Sequence, residues 1–245
     1  MAAPAPPAAS DLRYRSGVFA TNKLSGRARR VASAAVQGAW AWACQVGAVA
    51  PDSARGRRFG RMGQGSLIAF PPGAVFGERW IHVGENTMIG PHVTISAGMV
   101  PGQQMVTDPV ISIGDRCCIG RGSCIVGHLR IEIGDDVYTG PYVYVTDQNH
   151  DYQDLDVPIG RQWPSDAQVR IGAGSWLGAG VAVLPGADVG EHVVVAAGSV
   201  VRGHIPDRCV VAGAPARIVR QYVDGLGWVA PPRPAGSEGL PSTLR

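Results

Sequence analysis

The chain has 245 residues, a formal net charge of only +3, and 17% charged residues. That length suits one repeat domain with an extension at each end, and so slight a net charge argues against a dedicated nucleic-acid binder. Its 34 Gly and 19 Pro are high for an ordinary globular chain, yet no period of three exists, so collagen is excluded and frequent turns remain the reason.

Residues 1–15, rich in Pro and Ala, read as a disordered tail, and 16–67 as an N-terminal helical cap. Within that cap 31–50 is apolar (VASAAVQGAWAWACQVGAVA) and follows Arg27, Arg29 and Arg30. A signal anchor is the alternative to weigh. Against it stand the Ala/Gly richness, Gln37 and Gln45, and a start too deep in the chain for a signal peptide. The segment therefore reads as a helix packed on the open first coil, hiding its edge. The arginines, with Arg55, Arg57, Arg58 and Arg61, read first as solvated, while peripheral contact with a membrane or an anionic glycan stays open. Five cysteines, an odd number without metal-ligand spacing, point to a reducing cytosol, hence a cytoplasmic protein with no metal.

From Val83 to Val201 the chain keeps a six-residue beat. Aliphatic residues followed by Gly recur at Val83, Ile89, Ile113, Ile119, Ile133, Ile171, Leu177 and Val189. Four positions after such residues lies a small or β-branched one: Thr87, Val93, Cys117, Ser123, Val137, Val143, Ser175, Val181, Ala187, Val193 and Ser199. Neither a strand of period two nor a helix of period 3.6 gives six, but a short flat strand plus a tight corner does. The aliphatic and the small residue point inward, and the Gly lets the corner form without a Cβ clash. Three such sides close a triangular coil that pairs with the next, and 68–220 holds about six coils of about eighteen residues each. Cys117 is core filler on this scheme, while Cys118 and Cys124 face outward. Residues 221–245 read as a disordered C-terminal tail.

The beat breaks twice. Residues 98–108 (GMVPGQQMVTD) carry no obvious catalytic group, whereas 146–168 (TDQNHDYQDLDVPIGRQWPSDAQ) pack Asp147, Asn149, His150, Asp151 and Tyr152 together. Long insertions in a regular solenoid are where function sits. An imidazole can take a proton from a hydroxyl and return it, so His150 is the candidate base, with Asp147 or Asn149 placed to fix its tautomer. A lone loop His is also a common surface residue.

Asp147-Gln148-Asn149-His150-Asp151-Tyr152 followed by Pro158-Ile159 resembles the motif of hexapeptide-repeat acyltransferases, in particular maltose, galactoside and polysaccharide O-acetyltransferases. The downstream Ser175-Trp176-Leu177-Gly178, Ala197-Gly198-Ser199-Val200-Val201 and Ala212-Gly213-Ala214-Pro215-Ala216-Arg217 are similar to that family's terminal coils. The resemblance implies an all-β, left-handed parallel β-helix, a homotrimer with sites between chains, and acetyl-CoA as donor. It implies that His150 is the general base, that Trp176 sits near the thioester, and that the backbone of Ala179, Ala197 and Gly198 borders the pantetheine arm. Arg217 and Arg220 would meet phosphates, their alternative being solvated arginines. Where the family often has Thr-Lys-Asp this chain has Arg202-Gly203-His204, so the lysine contact is missing, and whether Arg202, one position earlier, takes its place stays open. The acceptor-binding Asp of the galactoside branch is His128 here, so the acceptor pocket differs. His128 and Tyr152 are the candidate acceptor contacts, with a surface or stacking role for His128 as the alternative.

The implied reaction is direct acetyl transfer to a hydroxyl of a sugar or polysaccharide precursor, without a covalent enzyme intermediate. Two other readings remain: a non-catalytic sugar-binding or scaffold β-helix, and an acetyltransferase for serine, an amino sugar or a xenobiotic. A γ-class carbonic anhydrase needs two histidines spaced by five, and His82, His92, His128, His150, His192 and His204 include no such pair.

Overall fold

The computed structural model describes residues 25–231, so the expected tails over 1–15 and 232–245 lie outside the described residues. Two compact units divide between Trp42 and Ala43. Helix α1 (Gly26–Gly47) runs across that division and begins beside Ser25, whose Oγ faces the Ala28 N–H at 3.4 Å. Ala and Arg favour the helix. Among the described residues no helix is long and apolar enough to cross a membrane.

The second unit is a three-sided parallel β-helix. Its first face stacks Arg61–Met62, Ile81–Val83, Ile111–Ile113, Ile131–Ile133, Val169–Ile171, Asp188–Val189 and His204–Ile205. The second begins with Leu67–Ile68, Met88–Ile89, Cys118–Ile119, Tyr138–Thr139, Trp176–Leu177 and Val194–Val195. The third runs Val75–Phe76, Thr94–Ala97, Cys124–Gly127, Tyr144–Thr146, Ala182–Val183 and Val200–Val201. Every neighbouring pair among the strands just named is parallel and in register, for example Ile81↔Ile111↔Ile131↔Val169. Six strands on the third face mark six complete coils, as the period required.

All the aliphatic positions of the beat are buried, and so is every residue named four positions on, from Thr87 at 1% exposure to Ser199 at 1%. Each fully buried Ile or Val contributes about 1.5–3 kcal/mol relative to an exposed one. The polar members are satisfied: Thr87 Oγ1 donates to the Gly114 carbonyl at 2.8 Å, and Ser175 Oγ donates to that of Gly190 at 3.1 Å. Cys117 is 2% exposed and fills the core as expected.

The glycines of the beat serve a different purpose from the one expected of them. The left-handed corner residue lies three positions after the aliphatic, at Asn86, His92, Arg116 and Asp136, or at Gly122 and Gly174. The glycine directly after the aliphatic instead lets successive coils touch. A Cβ at Gly114 would lie 2.6 Å from both Gly134 C and Asp135 N, backbone atoms that cannot retreat. Gly114→Ala therefore lowers stability by about 1–3 kcal/mol. Gly160→Ala, with nothing within 4 Å of the added carbon, leaves the thermal midpoint unchanged. Thermal denaturation of the two variants checks the contrast.

Both domain boundaries move. The coils start at Arg61, not 68, because Met62-Gly63, Ser66 and Ile68 continue the beat with Met in the aliphatic place. Val49, antiparallel to Ile68, and Phe59 join the core at this end. The expected tail from 221 is ordered as far as 231. Strands Arg217–Val223 and Gly227–Val229 extend the second face antiparallel from Cys209–Ala212, a geometry that the six-residue rule does not describe. Tyr222 meets Trp228 edge-on at 5.7 Å there.

Candidate active site

The two breaks in the beat are the two long crossings from the third face to the first. One joins Thr94–Ala97 to Ile111–Ile113, and the other joins Tyr144–Thr146 to Val169–Ile171. Between them, on the same corner, the short turn 128–130 links Cys124–Gly127 to Ile131–Ile133. Asp147 opens the second loop and is fully buried. Its carboxylate accepts the backbone N–H groups of His128 and Leu129, each at 2.8 Å, and of Arg130 at 2.6 Å. Burial pushes its carboxyl above the usual range, while the three amides oppose that rise. Asp147 therefore does not orient the His150 imidazole, contrary to the sequence expectation. Its oxygens are committed to a turn whose amides need partners where the coil departs into the loop.

Directly after Asp147, Gln148–Asn149 pairs antiparallel with Ser165–Asp166, making a two-stranded neck. His150 and Asn149 stand exposed at the head of that neck. Among the described residues none hydrogen-bonds the His150 ring, so Asn149 does not fix its tautomer either. Beyond it the Asp151 carboxylate accepts the Tyr152 and Gln153 amides at 2.7 and 3.1 Å. Gln162 braces the loop by donating to the carbonyls of Asp154 and Val157, each at 2.7 Å. Tyr152 is exposed, 66%, with Leu155 and Trp163 further out on the same loop.

Sequence reasoning missed Asp166. Its Oδ2 lies 2.7 Å from His128 Nδ1, and the other ring nitrogen of His128 lies 3.2 Å from Gln103 Nε2. Gln103 belongs to the first break, and its Oε1 accepts the Met99 N–H at 2.7 Å. These partners fix the tautomer: Nδ1–H donates to Asp166, and Nε2 accepts from the Gln103 amide. No spacing in the sequence announces this pairing, because Asp166 follows His128 by 38 residues.

The expected donor-side residues fall elsewhere. Trp176, 55% exposed, points out from the second face. Ala179 and Ala197 with Gly198 form successive exposed corners between the second and third faces. They stack closely, with Gly198 N–H donating to the Ala179 carbonyl at 2.9 Å. Gly180 and Gly198 take φ of +67° and +69°, with open space where a Cβ would be. Arg202 follows the third face, on the same edge as His150 but further down the coil, and with Arg217 and His204 lines a cavity of about 630 Å³. Arg220 does not line it and sits opposite Val210 in the terminal ladder. The candidate residues thus occupy opposite edges of the third face. Among the described residues no group of three or more His, Cys, Asp or Glu could hold a metal ion.

A model described as bacterial transferase hexapeptide (six repeats) matches 168–203, and one described as hexapeptide repeat of succinyl-transferase matches 110–146. A Mycobacterium tuberculosis protein named "Probable acetyltransferase Rv3034c" is 34% identical over 152 residues, covering 62% of this chain and 45% of its own length. The galactoside O-acetyltransferase of Escherichia coli is 29% identical over 152 residues, covering 60% of this chain and 66% of its own. The chain spans about half the length of the first curated relatives it matches. In fold it is similar to AntD, an N-acyltransferase from Bacillus cereus solved with dTDP and 3-hydroxybutyryl-CoA. There the TM-score is 0.57 at 20% identity, covering 67% of this chain and 84% of AntD. Two hexapeptide-repeat models thus lie on the coils themselves, and the relatives matched over the same region are named as acetyltransferases.

Proposed function

We propose that the protein is an acyl-CoA-dependent O-acyltransferase, acetyl being the donor group, that acts on a hydroxyl of a sugar or polysaccharide precursor. One observation carries the reading: His150 stands exposed, its ring unbonded, on a neck fastened to the coil by Asp147. The motif around it and the relationship to a galactoside O-acetyltransferase support the class of reaction. The coil would have the left hand that the resemblance implies, and the protein would work in the cytoplasm, where its donor is made.

In the proposed mechanism the His150 imidazole takes the proton of the acceptor hydroxyl as its oxygen attacks the thioester carbonyl. Backbone N–H groups stabilise the tetrahedral oxyanion. Collapse breaks the C–S bond, and the imidazolium returns the proton to the coenzyme A thiolate. Burial pushes the thiols of Cys117 and Cys124 up, the opposite of what a nucleophile needs, which supports direct transfer.

A homotrimer follows from the same reading. The edge that leads into the His150 neck and the edge of the Ala179 and Ala197 corners bound the third face, which is about four residues or roughly 13 Å of extended chain wide. The acyl-CoA is proposed to lie between the His150 edge of one chain and the Ala197 edge of the next, where Trp176 would border the thioester. Arg202 and Arg217 would meet its phosphates as charge-assisted donors, and Arg220 would be solvated. Arg217→Ala is then expected to raise the KM for acetyl-CoA about tenfold with kcat unchanged, the order of one lost charge-assisted hydrogen bond. Steady-state kinetics at saturating acceptor checks it.

The test of the reading is acetyl-CoA turnover, followed by free-thiol release, over a panel of sugars and amino sugars. Acceptor-dependent release with O-acetylated product supports it. Transfer to the amino group alone would make the protein an N-acyltransferase, and coenzyme A binding without any turnover would favour the non-catalytic reading.

A further inference from the structure

We infer that His128 is a positioning residue that ties the two interruptions of the coil together and so holds the neck presenting His150 in one arrangement. The inference rests on the reading of His150 as the base. Its geometric part stands without that reading.

The sequence alone suggested an acceptor contact at His128. The structure leaves its ring no free nitrogen for one: Nδ1 is 2.7 Å from Asp166 Oδ2 and Nε2 is 3.2 Å from Gln103 Nε2. Even its backbone N–H is taken, by Asp147 at 2.8 Å. Through these three bonds one residue joins the loop after 97, its own turn, and both strands of the neck. Asp166 pairs with Gln148, two residues before His150, and Asp147 is the residue before Gln148. A displacement of Asp166 therefore moves the strand that ends at Asn149, next to His150. Gln103 is in turn held by the Met99 amide at 2.7 Å, so the first loop is braced from the same ring.

Position decides what such a clamp is for. A loop of this length on a solenoid corner has few coil contacts to order it. The neck is only two residues long on each side and could not persist alone. Asp166 lies on an exposed strand, but its side chain and that of His128 are 24% and 20% exposed, less than the 51% and 53% of the Asp136–Arg116 pair on the coil surface. General-base chemistry needs the imidazole within hydrogen-bond reach of the acceptor hydroxyl, and an error of about 1 Å can cost on the order of 10²-fold in rate.

Hydrogen exchange of the full-length protein, read on peptides covering 98–108 and 147–168, is the test, together with steady-state kinetics. His128→Ala should speed exchange in both segments together by about tenfold or more, the order of a lost charge-assisted hydrogen bond. Asp166→Ala should loosen 147–168 alone and Gln103→Ala 98–108 alone. The double variant His128→Ala/Asp166→Ala should loosen 147–168 no more than His128→Ala does. In turnover, His128→Ala should lower kcat at least tenfold with KM for acetyl-CoA unchanged, since the donor edge is untouched. His128→Gln, which keeps one donor and one acceptor, should restore part of both effects. Unchanged exchange in the two segments, or exchange that rises equally through the coils, overturns the clamp. Loosened loops with parent kcat overturn the positioning role. If the parent shows no turnover with any acceptor, the function reading fails and the exchange pattern still decides whether the clamp exists.

Discussion

His150→Ala is expected to lower kcat by roughly 10²–10⁴-fold, the range that a positioned general base supplies. The fold should not notice. His150 is exposed, its ring holds no partner, and the neck beneath it is fastened through Asp147 and Asp166 instead. Thermal stability and hydrogen exchange in the coils should therefore match the parent, so a loss of rate cannot be charged to unfolding. The KM for acetyl-CoA should stay within about twofold, because a base that acts in the transition state contributes little to ground-state binding. Cys124→Ser serves as the counterpart: its thiol is pushed up by burial, and turnover should be unaffected. Acceptor-stimulated thiol release that survives in His150→Ala would remove this residue from the mechanism.

The coil was legible because its rule is local and repeated. An aliphatic residue, a neighbouring glycine and a small residue four positions on recur often enough that a few exceptions do no harm, and the aliphatic and small residues are all buried. The rule failed where the physics changes. Met62 kept the register without the expected residue type, and the hairpin after Ala212 is antiparallel, so no six-residue period governs it. At the candidate site, the motif singles out His150, but the partners expected for its ring are engaged elsewhere or stand exposed. Asp147 lies three positions from His150, so a contact between them was the natural guess. The buried carboxylate is instead drawn to three unpaired amides one coil away. The His128–Asp166 bond is a product of stacking: coils bring together residues far apart in the chain, and a side-chain pair across them leaves no periodic trace.

Mixing two inactive chains should restore activity. The candidate residues lie on opposite edges of the third face, and the proposed site joins one edge of one chain to the other edge of its neighbour. His150→Ala destroys the first edge. Ala197→Trp should block the second, because Ala197 is an exposed corner and an indole there would fill the strip where the backbone must approach the donor closely. Each variant alone is expected to show less than about 1% of parent turnover, the base lost in one and the donor excluded in the other. Coexpressed in equal amounts and purified through two different tags, the chains should form mixed trimers. In a cyclic trimer each site takes one edge from each of two neighbours, so every mixed trimer that carries both tags has one site of its three with both edges intact. Turnover near a third of the parent would establish that sites are shared between chains. Two variants that stay silent in an assembly proven to contain both would mean that each chain carries a complete site, with the long loop carrying His150 reaching back across its own third face.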